Sequence, residues 1–168
     1  GNNCLTMNPT AEKDQEPKGF AQTIASGASD TTAFGVMDMT STNADYISAK
    51  RGMMLTDNRN RIIIQDEVVA KAPSDFYWFA HTSANVSLAR DGKSALMELD
   101  GERMLVRIIE GPENAKLSIM GRDSLFDEVF TIKGHDDGIK LVIQAEDVQN
   151  FNLAVEYVGL EDGEGIPA

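Results

Sequence analysis

Asn85-Val86-Ser87-Leu88-Ala89-Arg90, Asp91-Gly92-Lys93, Ser94-Ala95-Leu96-Met97-Glu98-Leu99, Asp100-Gly101-Glu102, Met104-Leu105-Val106-Arg107-Ile108-Ile109: this stretch decides the fold. Three runs alternate apolar and polar residues, the signature of strands with one buried face. The breaks between them contain Asp-Gly. Glycine supplies the positive φ that a tight hairpin turn requires, so Asp-Gly between alternating runs predicts a hairpin, and two in series predict a meander.

The same pattern extends in both directions. Towards the amino end, Phe20 to Ile24, Ala33 to Thr40, Tyr46 to Leu55 and Arg61 to Val69 read as short strands rich in branched and apolar residues. Towards the carboxyl end, Asp137-Gly138 precedes a strand from Ile139 to Gln144, with Ile139, Leu141 and Ile143 on one side. Phe151 to Val158 reads as the last strand, with Leu153, Val155 and Tyr157 on one face. Ala11 to Gly19 is polar, ends in turn formers and reads as a loop. No window sustains a 3.6-residue apolar period. The expectation is an all-β chain, a two-sheet antiparallel β-sandwich of about ten to twelve strands. One domain is expected over residues 1–160, followed by a flexible acidic tail over 161–168.

Composition narrows the function classes. The chain has 168 residues, 42% hydrophobic and 25% charged, enough for one domain with its own core. Fifteen Lys and Arg against 27 Asp and Glu leave a net charge of −12. A nucleic-acid binder needs a basic footprint to displace phosphate counterions, so nucleic acid is excluded as a partner. Cys4 is the only cysteine, so no internal disulfide forms, and the two histidines, His81 and His135, are too few for a His-rich metal site. No apolar run exceeds five residues, so no membrane span is expected, and no signal peptide is visible. Gly1-Asn2-Asn3-Cys4 reads as the edge of a piece cut from a longer chain.

Several segments hold candidate chemistry. Phe76-Tyr77-Trp78-Phe79-Ala80-His81-Thr82 contains the only tryptophan. One reading has it stack on a sugar ring with His81 as a polar contact. The other is a strand buried on both faces. Asp66 and Glu67 are adjacent on a strand, so they point to opposite faces and cannot converge on one bond as an acid–base pair. Asp66 is expected to accept turn hydrogen bonds and Glu67 to be solvated. Arg51 reads as a carboxylate clamp or a structural salt bridge, and the mid-strand Gly52 beside it as a bulge or a close approach. Asp136-Asp137-Gly138 and Asp91-Gly92 lack the ladder of an EF-hand loop and read as turns. Met37, Met39, Met53 and Met54 are expected to fill core gaps. No catalytic residue, metal ligand or cofactor site is expected.

Taken in order, Asn3-Cys4-Leu5-Thr6-Met7-Asn8, Val36-Met37-Asp38-Met39-Thr40, Lys50-Arg51-Gly52-Met53-Met54-Leu55, Ile64-Gln65-Asp66-Glu67 and Tyr77-Trp78-Phe79-Ala80-His81-Thr82 resemble motifs of the C-terminal β-sandwich region of the heparinase II/III-like polysaccharide lyases. Asp91-Gly92-Lys93-Ser94-Ala95 and Leu141 to Ile143 agree in order and spacing, so the likeness runs from about residue 3 to 158. The resemblance implies a periplasmic or secreted enzyme that cleaves acidic polysaccharides by β-elimination. A base removes the proton beside the uronate carboxylate and the glycosidic oxygen leaves. An N-terminal α/α-toroid carries most of that chemistry, and the sandwich packs against it and walls the cleft. The toroid is absent from this sequence, and Asn2 stands where the family's motif has a zinc-binding histidine. The expected partners are that N-terminal catalytic domain of the natural chain and an acidic polysaccharide, with Arg51, Trp78 and His81 as substrate contacts. A solvent-exposed apolar patch is expected where the toroid docks. The alternative is a free-standing carbohydrate-binding or structural module; the carbohydrate-binding form requires an accessible Trp78. The charge of −12 favours a scaffolding role over direct capture of sulfated chains.

Overall fold

The computed structural model describes residues 3–10, 16, 18–121 and 138–161. Among them lie ten strands: β1 (Leu5–Met7), β2 (Gln22–Ala28), β3 (Ala33–Asp38), β4 (Tyr46–Thr56), β5 (Arg61–Thr82), β6 (Asn85–Leu88), β7 (Ser94–Leu99), β8 (Glu102–Glu110), β9 (Lys116–Gly121) and β10 (Ile139–Gly159). A single 3-10 turn at Thr40–Thr42 interrupts them, and there is no α-helix among the described residues.

The turns form where the sequence places them. Asp100 and Gly101 both have positive φ, 53° and 89°, and join β7 to β8 with Leu99 opposite Glu102, as a two-residue type I′ hairpin requires. The Asp91-Gly92 turn is wider. Its Gly92 has φ 67°, and Asp91 Oδ1 accepts from Lys93 N at 2.8 Å.

All pairings are antiparallel, and the ten strands share one hydrogen-bonded network in the order β2-β3-β4-β5-β10-β8-β7-β6, with β1 added to β5 and β9 to β10. Two hydrogen-bonded sheets were the expectation from sequence. One network arises because β5 and β10 are 22 and 21 residues long. The early half of β5 pairs with β4 and its late half with β1. The late half of β10 pairs with β8 and its early half with β9. The segments Arg61–Val69 and Phe76–Thr82 thus belong to one strand, as do Ile139–Gln144 and Phe151–Val158.

The β5–β10 ladder bends midway. Its register shifts between Ala145 and Val148 and again between Val148 and Asn150, opposite the Pro73 region, and Asp147 adopts φ 55°. Aromatic contacts record how far the bend carries the chain. Phe76 stacks on Phe151 at 4.6 Å, although the register partner of Phe151 is Val68, eight residues earlier on β5. Eight extended residues span roughly 27 Å, which no side chain bridges. Trp78 and Tyr157 meet at 6.4 Å across a still longer stretch of ladder.

The main core lies inside this bend and includes Leu5, Val68, Phe76, Trp78, Val106, Leu141, Ile143, Leu153 and Val155. A second cluster of Cys4, Tyr77, Phe79, Met120 and Val142 lies on the other face of late β5 and early β10. Met53 and Met54 do not fill the core; they are 43% and 45% exposed on β4. His135, Asp136, Asp137, most of the Ala11–Gly19 loop and residues 162–168 of the tail lie outside the described residues.

Candidate functional site

Arg51 on β4 and Asp66 on β5 are register partners, and both point into the bend. The guanidinium donates from Nε to Asp66 Oδ1 at 2.7 Å and from Nη2 to Oδ2 at 2.8 Å. The two residues are only 7% and 3% exposed. Burial opposes the charge on Arg51, and the hydrogen bond and charge of Asp66 overcome it, so its pKa is raised. Burial also lifts the Asp66 carboxyl, against the pull of Arg51. Asp66 therefore serves a buried ion pair and not a turn, while Glu67 beside it is exposed, as strand alternation requires. Gly52 sits in regular register opposite Gln65 with no bulge and open space above it.

Two further contacts tie this pair to the first strand. Arg51 Nη1 donates to Asn3 O at 3.5 Å, and Tyr46 Oη donates to Leu5 O at 3.0 Å. Trp78, 2% exposed, belongs to the same core, and its indole Nε1 has no acceptor among the described residues. Neither Arg51 nor Trp78 offers a surface to a ligand. His81 is different. It is partly exposed near the end of β5, opposite Lys140, and on the other side of the strand from Trp78. Its backbone N–H donates to Asn3 Oδ1 at 2.8 Å. The three residues proposed from sequence as substrate contacts do not form one cluster.

A base for proton abstraction needs an ionisable group near neutrality. The three tyrosines do not provide it. Burial pushes the phenols of Tyr46, Tyr157 and Tyr77 above their ordinary value. No group of three or more His, Cys, Asp or Glu side chains among the described residues is arranged to hold a metal ion.

Features invisible in the linear sequence lie on the outer face. Ser48, Lys50, Glu67, Val69, Asn150 and Asn152 line an open groove of about 460 Å³. Further along, Glu156 is 3% exposed and bracketed by two arginines: Arg61 Nε lies 3.1 Å from Oε1, and Arg107 Nε bonds Oε2. Phe34 and Met54, register partners on this face of β3 and β4, are 46% and 45% exposed, whereas Met53 points to the opposite face of β4. Alternation within each strand was readable; which residues meet across strands depends on register, which it does not encode.

No protein-family model matches the sequence, and no curated protein does. Solved structures do. The heparinase III BT4657 gene product is similar over 94% of this chain, with a TM-score of 0.70 and 14% identity. The heparan sulfate lyase HepC from Pedobacter heparinus is similar over 97%, with a TM-score of 0.73 and 8% identity. This chain has the fold of one part of heparinase III. A crystal structure of heparinase III agrees over 94% of the chain, with a TM-score of 0.67 and 12% identity. The chain spans about a quarter of the length of each heparinase, 23–24%. No helix among the described residues is long and apolar enough to cross a membrane.

Proposed function

We propose that this chain is the C-terminal β-sandwich of a heparinase II/III-like polysaccharide lyase. In this reading the bent sheet works as two stacked layers and walls the cleft of a catalytic domain carried elsewhere in the natural chain. The observation that carries it is the coverage: at least 94% of this chain matches heparinase structures of which it spans only a quarter. The stacking of Phe76 on Phe151 and the tilted contact of Trp78 with Tyr157 support the layered arrangement. Exposed Phe34 and Met54, paired on β3 and β4, supply an apolar patch for the missing domain to cover.

The chain is inactive by itself. β-Elimination next to a uronate needs a base and a group that neutralises the carboxylate. The tyrosines here are held protonated by burial, and Arg51 already has its carboxylate in Asp66. Arg51 and Trp78 therefore stiffen the wall, and His81, partly exposed near the end of β5, meets an acidic polysaccharide at the rim. The full enzyme would act in the periplasm or outside the cell. A free-standing glycan module that stacks sugars on Trp78 is the weaker reading, since that ring is buried.

The test is to incubate the 168-residue chain with heparan sulfate and follow the ultraviolet absorbance of unsaturated products. No rise is expected; a sustained rise would overturn the scaffold reading. Fused to a catalytic toroid of a related lyase, the chain is expected to support turnover, and loss of turnover in His81→Ala with unchanged folding would place His81 at the rim.

A further inference from the structure

The outer-face groove has no part in that scaffold. Register sets Asp38, Lys50, Glu67 and Asn152 side by side on β3, β4, β5 and β10. Asn152 Nδ2 then donates to Glu110 Oε1 on β8 at 3.2 Å. The row crosses five neighbouring strands, roughly 19 Å at the usual strand spacing. Ser48, Val69 and Asn150 form a second, parallel row. Lys50, Glu67 and Asn152 of the first row and all of the second line the open groove, with Asp38 and Glu110 at the two ends of the first row beyond it.

Lys50 and Glu67 are directly opposed, yet no ion pair joins them, and the side chains of Ser48, Glu67 and Asn150 make no hydrogen bond with the described residues. Their polar heads are available to a ligand. Beside the rows the surface is low. A Cβ at Gly52 would meet only Gln65 O, at 3.9 Å, and the next strands carry Gln65 and Ala154 in the same row.

The chemistry selects the ligand. Carboxylates and amides alternating with an ammonium match groups that both donate and accept, which is what hydroxyls do. Lys50 and Glu67 balance within the groove, and Asp38 and Glu110 at the ends of the row add two negative charges that disfavour sulfate, phosphate and uronate chains. Strands β4, β5 and β10 are interior to the sheet, so no backbone edge is open to an added peptide strand. We propose that this groove is a binding subsite for a neutral, hydroxyl-rich oligosaccharide, separate from any cleft for an acidic substrate.

The test is affinity electrophoresis. The chain's charge of −12 carries it through native gels containing cereal β-glucan, arabinoxylan, galactomannan or no polysaccharide. Retardation by at least one neutral polymer is expected, with the dissociation constant rising at least tenfold in Glu67→Ala/Asn152→Ala. Glu67→Gln, which keeps the side-chain shape, should weaken binding in the same gel, and Asn85→Ala on the distant strand β6 should not. Thermal midpoint and Trp78 emission confirm that each variant folds. Absence of retardation in all three neutral polymers, undiminished retardation of the double variant, or retardation only in a parallel gel containing heparan sulfate overturns the proposal. Each of these outcomes leaves the lyase reading to its own absorbance assay.

Discussion

Arg51 and Asp66 show how a charged pair survives in a β core. Each charge is costly to bury, and the parallel two-point fork with register-matched positions offsets that cost only while both members remain. Asp66→Ala strands the guanidinium, and a loss of about 3–5 kcal/mol is expected in urea unfolding. Replacing both residues with apolar ones of similar size should recover most of it; a double variant as unstable as the single one would refute this account. The tyrosines carry a pH consequence. Their folded pKa values lie above the unfolded value of 10.0, so their contribution is intact below pH 10 and is lost as pH rises past it. In an alkaline titration followed by phenolate absorbance, ionisation of Tyr46 and Tyr157 is expected to coincide with loss of the Trp78 signal. Ionisation at pH 10 in a chain that is still folded would contradict the burial. Sequence alone held Arg51 open between clamp and salt bridge, because its partner is fifteen residues away and register chooses between Asp66 and Glu67.

At the level of elements, turns were the most readable feature and strand lengths the least. Asp100-Gly101 announces its hairpin because few residues tolerate two consecutive positive φ values. Gly101→Val places a branched side chain at φ 89° and should cost about 1–2 kcal/mol, read from the thermal midpoint. Gly35→Ala, at a glycine with open space and no positive φ, serves as the mild comparison. The long strands were divided in two because Pro73 and the polar run from Glu146 to Asn150 look like loops. They are instead the laced corner of a continuous ladder. Asp147 N–H donates to Asp75 Oδ1 at 3.1 Å, Asp75 N–H donates to Asn8 Oδ1 at 3.0 Å, and Gln149 Nε2 donates to Ala70 O at 3.2 Å. Strand β9 alternates only over Lys116-Leu117-Ser118-Ile119, is short and follows Pro112, too weak a pattern to announce a strand.

On the scale of the molecule, the all-β class and the likeness to heparinases were legible, whereas the single network and the outer-face groove were not. Identities of 8–14% accompany TM-scores of 0.67–0.73, so this backbone tolerates nearly complete replacement of side chains. The assignment of catalysis to a neighbouring domain rests on that likeness and on the protonated tyrosines. The acidic surface is compatible with both the scaffold and the neutral-glycan subsite.

Because β10 is the seam of both halves, the two cannot be joined until it arrives. Its partner β5 is made early and must wait through β6, β7, β8 and β9 with its greasy sides uncovered. Such distant pairings are slow to form and exposed to clumping meanwhile. On the ribosome the nascent chain would therefore depend on chaperones until β10 has emerged, and a premature stop after Gly121 would yield an insoluble ribbon rather than a smaller working part.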